Sequence, residues 1–124
     1  MKVMVVDDEE DVRTLFEQRF RKEVRSGLIE FYFALSGQEA LDFLETHEED
    51  VLILSDINMP GMSGLDLLKV VKEKHRHLKV YMITAYGDAE YHRRAMDYGC
   101  DDYLTKPIDF AILREKLLGF PLVP

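Results

Sequence analysis

Five short apolar runs, each closed by polar or turn-forming residues, set the rhythm of the chain. Lys2-Val3-Met4-Val5-Val6 ends in Asp7-Asp8-Glu9-Glu10. Leu28 to Leu35 is aromatic and partly alternating. Val51-Leu52-Ile53-Leu54 ends in Ser55-Asp56 and the turn at Pro60-Gly61. Lys79 to Ile83 leads into Thr84-Ala85-Tyr86-Gly87, and Asp101 to Thr105 leads into Lys106-Pro107. Runs this short, rich in β-branching and bounded by turn residues, predict strands; the almost wholly apolar ones predict strands buried on both faces, as in a parallel sheet.

Between the runs the period lengthens to that of a helix. Val12, Leu15, Phe16 and Phe20 predict one amphipathic helix from Asp8 toward Gly27, with acids in its first turn where the helix dipole favours them. Ser36 and Glu39 form a capping-box pair ahead of Ala40, Leu41, Phe43 and Leu44. Ser63 precedes Gly64, Leu67, Leu68 and Val71, while Asp109 precedes Phe110, Leu113 and Leu117, with Gly119 as the stop. Asp88 to Tyr98 offers only Ala89, Ala95 and Met96 among few large aliphatics, which predicts a weakly anchored helix with room to move. Five β-α units with short connections predict a three-layer, doubly wound α/β fold around a five-stranded parallel sheet in the flavodoxin-like order 2-1-3-4-5. That order makes the first and third strands neighbours.

Composition narrows the classes. The 124 residues suffice for one domain, read as 1–119 with 120–124 as a tail or the start of a linker. The single cysteine, Cys100, excludes an internal disulfide framework and suits a reducing compartment. No signal-peptide pattern or membrane-length apolar stretch occurs, so a cytoplasmic protein is expected. A formal charge of -8, with 24 acids against 16 bases, opposes direct nucleic-acid binding. The basic run around Arg19-Phe20-Arg21-Lys22 scatters around a helix and reads as a solvated face.

The predicted topology gathers the chemistry. In an open parallel sheet, ligands bind beyond the carboxyl ends of the strands, and there the acids Asp7, Asp8 and Asp56 would meet. Asp56 alone reads as a turn residue. Three clustered carboxylates, however, call for a positive guest, and the absence of clustered His or Cys favours Mg2+ over zinc or iron. Thr84 and Lys106, from the ends of the fourth and fifth strands, add a hydroxyl and a cation. Together these groups suit a phosphoryl group, with Asp56 as its nucleophile.

Asp7-Asp8, the stretch from Asp56 to Gly64, Thr84-Ala85 and the stretch from Gly99 to Pro107 closely resemble the motifs of response-regulator receiver domains of two-component signalling, over roughly Lys2 to Leu118. The resemblance implies that Asp56 accepts phosphate from a phosphohistidine of a sensor kinase or phosphotransfer protein, or from a small donor such as acetyl phosphate. It implies Mg2+ bound by Asp8, Asp56 and the Asn58 carbonyl, with Asp7 acting through water. Lys106 would pair with the carboxylate and then the phosphoryl oxygens, across a cis bond to Pro107. Thr84 and Tyr103 would form the switch pair. The face of the fourth helix, fifth strand and last helix would meet an output domain, an effector or a second copy. Cys100 departs from the usual alanine and reads as a small packing residue.

Two other classes compete. A flavodoxin-like interaction module without phosphorylation has no need of the acid pair, Asp56, Thr84 and Lys106. A magnesium phosphohydrolase would want a second carboxylate two residues after Asp56, where Asn58 stands. Tyr86 is bulky beside the expected phosphoryl pocket and should hinder the attacking water. Tyr86→Ala is therefore expected to shorten the lifetime of the phosphoprotein, measured as loss of the adduct with time.

Overall fold

The two-residue period of the first apolar run becomes a division of the core: Val3 and Val5 pack into one hydrophobic cluster, Met4 and Val6 into another. This computed structural model describes residues 1–47, 50–85 and 87–119. The strands β1 (Lys2–Val6), β2 (Glu30–Ala34), β3 (Val51–Asp56), β4 (Val80–Ala85) and β5 (Asp102–Lys106) are all parallel and lie in the order β2-β1-β3-β4-β5. The helices are α1 (Asp11–Arg19), α2 (Arg21–Arg25), α3 (Gly37–Thr46), α4 (Gly64–Lys74), α5 (Ala89–Asp97) and α6 (Phe110–Leu118). One core cluster joins the sheet to α3, α4 and α5, the other to α1 and α6, so three layers form as predicted. Every residue of β3 is buried, in keeping with its place at the centre.

Several expectations need correction. The long first helix is two, because Phe20 leaves helical geometry at φ -110° and ψ 26°. Its ring is wholly buried beside Phe16 and Phe31, at centroid distances of 6.1 and 5.4 Å. Leu15, assigned to the apolar stripe, is instead 38% exposed, since the phenylalanines fill that side of the core. β2 begins at Glu30 and leaves Leu28 exposed. β4 runs on to Ala85 and β5 to Lys106, which puts Thr84 and Lys106 inside strands, not beyond them. Tyr86 and residues 120–124, with the readings placed on them, lie outside the described residues.

Local chemistry fixes the helix starts. The Ser36 hydroxyl accepts the Glu39 N–H at 3.1 Å, and Asp109 Oδ1 accepts those of Ala111 and Ile112. Ser63 and Asp66 form a full capping box at α4, a pairing the sequence reading left out. Lys72, read there only as part of a basic helix end, donates to Asp101 Oδ2 at 2.7 Å and to the Leu78 carbonyl at 3.0 Å. The same Asp101 oxygen accepts the Val80 N–H at 2.8 Å, so one clamp ties α4, the start of β4 and the approach to β5. No helix of the described residues is long and apolar enough to cross a membrane.

Gly64 lets α4 start against the end of β3. A Cβ there would collide with the Asp56 carbonyl oxygen and come within 2.7 Å of the Ile57 Cα. At Gly37 a Cβ would meet only the Met62 side chain, which can turn aside. Gly64→Ala is expected to destabilise the protein by about 2 kcal/mol in urea unfolding, overpacking outweighing any gain in helix propensity. Gly37→Ala should cost under ~1 kcal/mol by the same measurement.

Candidate functional site

β3 carries Asp56 to the carboxyl edge of the sheet with only 3% of the residue exposed. Both carboxylate oxygens are held. Oδ2 accepts the Lys106 ammonium at 2.8 Å, and Oδ1 accepts the Asn58 N–H at 3.2 Å. The second bond is the local turn that an Asp makes with the backbone two residues on. Asp7, one residue past the end of β1, repeats the device: its Oδ1 accepts the Glu9 N–H at 2.9 Å, while its own N–H donates to the Ala34 carbonyl at 3.0 Å. Asp8 is exposed. One oxygen from each of Asp7, Asp8 and Asp56 lies within 4.8 Å of the others. The predicted acid cluster is thus brought together, and all-oxygen donors at this spacing suit a hard divalent ion.

Register sorts the remaining groups. Asp56 pairs with Ile83, and Ala85 with Lys106, so Asp56, Ile83 and Leu104 share the face of the α1–α6 core. Lys106, two residues after Leu104, falls on that face and reaches Asp56. Thr84 follows the opposite alternation, with Met82, whose partner across the ladder is Tyr103. Thr84 is wholly buried, and its Oγ1 has no hydrogen-bond partner among the described residues. An unmet buried hydroxyl costs stability. Tyr103 is half-buried, and its ring lies flat on that of His92, centroids 3.8 Å apart and planes 11° from parallel. The Lys106–Pro107 bond is cis.

Electrostatics follow from this crowding. Burial raises the Asp7 carboxyl above its ordinary 3.8; the Glu9 N–H and Lys106 oppose the rise, while the charges of Asp56 and Glu9 add to it. For Lys106, burial pulls the ammonium's pKa down, but the bond to Asp56 and the charges of Asp56, Asp7 and Glu9 outweigh it, so the net shift is upward. The cation is therefore firmly protonated beside its carboxylate. Cys100 is buried, and that burial, with Asp101 and Asp102 nearby, pushes its thiol up and away from reactivity.

Sequence reasoning did not find the backbone N–H groups of Glu9 and Asn58, which carry no side-chain signal, although Asp at i and a turn two residues later hints at them. Nor did it find His92, whose meeting with Tyr103 depends on how α5 lies against β5.

Comparison with known proteins agrees with this fold. A family model described as response regulator receiver domain matches residues 3–118. The DNA-binding transcriptional regulator NtrC of Klebsiella pneumoniae is 45% identical over 105 residues, 85% of this chain and 21% of that protein. The response regulator protein PilR of Pseudomonas aeruginosa is 38% identical, with 92% of this chain matched to 24% of its own length. The chain thus spans under a quarter of the length of these two relatives. Sporulation initiation phosphotransferase F of Bacillus subtilis is 32% identical over 94% of this chain and 90% of its own. The chemotaxis protein CheY4 of Vibrio cholerae superposes with a TM-score of 0.80 at 27% identity, over 95% of this chain and 96% of that one. By motif, topology and these matches, the chain belongs to the response regulator receiver domain family.

Proposed function

We propose that the chain is a phosphorylatable signalling switch. Asp56 accepts a phosphoryl group from a phosphohistidine of a sensor histidine kinase or phosphotransfer protein, or from a small donor, in a Mg2+-dependent reaction. The face of α5, β5 and α6 then changes its affinity for an output domain, an effector or a second copy. The observation that carries this reading is the buried Thr84 hydroxyl, without a hydrogen-bond partner among the described residues, one register position beyond the buried, doubly held Asp56.

The Asn58 N–H and Lys106 fix the Asp56 carboxylate, so its attacking oxygen is positioned before a donor arrives. The new bond joins that oxygen to phosphorus as the donor's P–N bond breaks, and the imidazole leaves with the electron pair. Lys106 moves from the carboxylate to the phosphoryl oxygens, and Thr84 donates to another of them. Mg2+, held by Asp8, Asp56 and the Asn58 carbonyl with Asp7 through water, would supply charge that neutralises the phosphoryl oxygens. The phosphoryl group adds about -1.5 to -2 of charge. Thr84 is drawn toward it, and Tyr103 turns into the space so freed.

Incubation with Mg2+ and acetyl phosphate should give one phosphate adduct by intact mass, absent from Asp56→Ala. An adduct that survives that substitution, or none with any donor, would sink the reading, and the latter result would favour a binding module. Asp8→Ala should weaken Mg2+ binding.

A pH experiment isolates Asp7. Its folded pKa lies above the unfolded value, so the folded form holds this proton more tightly; the resulting stability is complete below about 3.8 and is lost as pH rises through the raised value. At neutral pH the ionised group is a burden on the metal-free fold. With chelator present, Asp7→Asn should melt higher than wild type at neutral pH, with the difference vanishing toward acid. The variant should also gain less from added Mg2+.

A further inference from the structure

The stack of His92 on Tyr103 is the one ring-on-ring contact that α5 makes with the sheet among the described residues. Within those residues neither the His92 imidazole nor the Tyr103 hydroxyl has an ion pair or hydrogen bond, and Tyr103 packs against the α3–α4–α5 core on one side and against His92 on the other. His92 is exposed, Tyr103 half-buried, and the parallel faces 3.8 Å apart leave no room for water between them. Thr84 shares the sheet face of Tyr103, since Met82 pairs with Tyr103 and Thr84 with Thr105. The Tyr103 ring lies flat against His92, and the inward turn of the switch reading would take it off that ring toward Thr84.

We infer that His92 is a positioning residue that holds the Tyr103 ring against α5 and so sets how readily the Thr84–Tyr103 pair passes to its phosphorylated arrangement. The inference rests on the switch reading above. Ala95 is the one fully buried residue of α5, with Tyr91 and the capping Tyr98 partly buried against the same core, and the stack adds a contact to β5. A contact of the order of an ordinary aromatic pair shifts a two-state equilibrium by roughly two- to tenfold, and ligand affinity for the minor state follows in proportion. Any planar ring of similar size at position 92 should serve; a methyl group should not.

The experiment uses the whole chain labelled with 3-fluorotyrosine, with the Tyr103 resonance identified by its loss in Tyr103→Phe. Beryllium fluoride with Mg2+ serves as the phosphoryl mimic. In wild type, the mimic should move the Tyr103 resonance from a stacked to an inward position. In His92→Ala, which removes only an exposed ring, the resonance of the free protein should already lie part-way inward. Its apparent affinity for the mimic should rise roughly two- to tenfold. His92→Phe should restore both wild-type values. If His92→Ala matches wild type in shift and affinity, or if His92→Phe behaves like His92→Ala, the inference is overturned while the switch stands. If the mimic leaves the wild-type Tyr103 resonance unmoved, the switch reading falls and the inference with it.

Discussion

A carboxylate taken almost wholly out of water at Asp56 is the constraint on which the rest depends. Such a group is tolerable only when charge and hydrogen bonds replace its lost hydration. Here the replacements come from Lys106, fifty residues on, and from the Asn58 N–H next door. To deliver Lys106, the sheet must bring β3, β4 and β5 into register; to deliver Asp7, β1 must lie on the other side of β3. The strand order is therefore also the wiring of one site. Gly64 belongs to the same constraint, because α4 must begin against the Asp56 carbonyl.

The arrangement is incompletely satisfied by design of its residues. Burial raises the pKa of the Asp7 carboxyl, and the Thr84 hydroxyl is buried without a hydrogen-bond partner among the described residues. Each deficit has the sign that a bound cation or a phosphoryl group would correct. A fold that met all its polar groups internally would gain stability but would have less reason to respond to either.

The sheet was legible because its strands are short, apolar and sharply ended, and because the first and third runs both stop at acids. The break at Phe20 was not, because a periodic stripe of Val12, Leu15, Phe16 and Phe20 reads as one helix until the bulk of three packed phenylalanines is counted. At the site, the acids, Thr84 and Lys106 were visible as the polar endings of greasy strands. Asp56 could equally be read as a turn former or a reactive group. The Asn58 N–H makes these one geometry, since the turn is what aims the carboxylate. His92 and the Lys72–Asp101 pair were hidden, as each depends on how a helix lies against a distant strand.

That last pair has a mechanical consequence. Asp101 follows α5 closely and is pinned through Lys72 and the Val80 N–H to α4 and β4, while Cys100 N–H bonds back to the Ala95 carbonyl. The carboxyl end of the helix is thus its firmly clamped end, and a tilt of α5 would pivot there. Nine residues make an arm of about 13 Å, so a tilt of about 10° carries its tip by about 2 Å. A tilt of α5 would therefore move its amino end across the protein surface while the clamp at its carboxyl end stays in place.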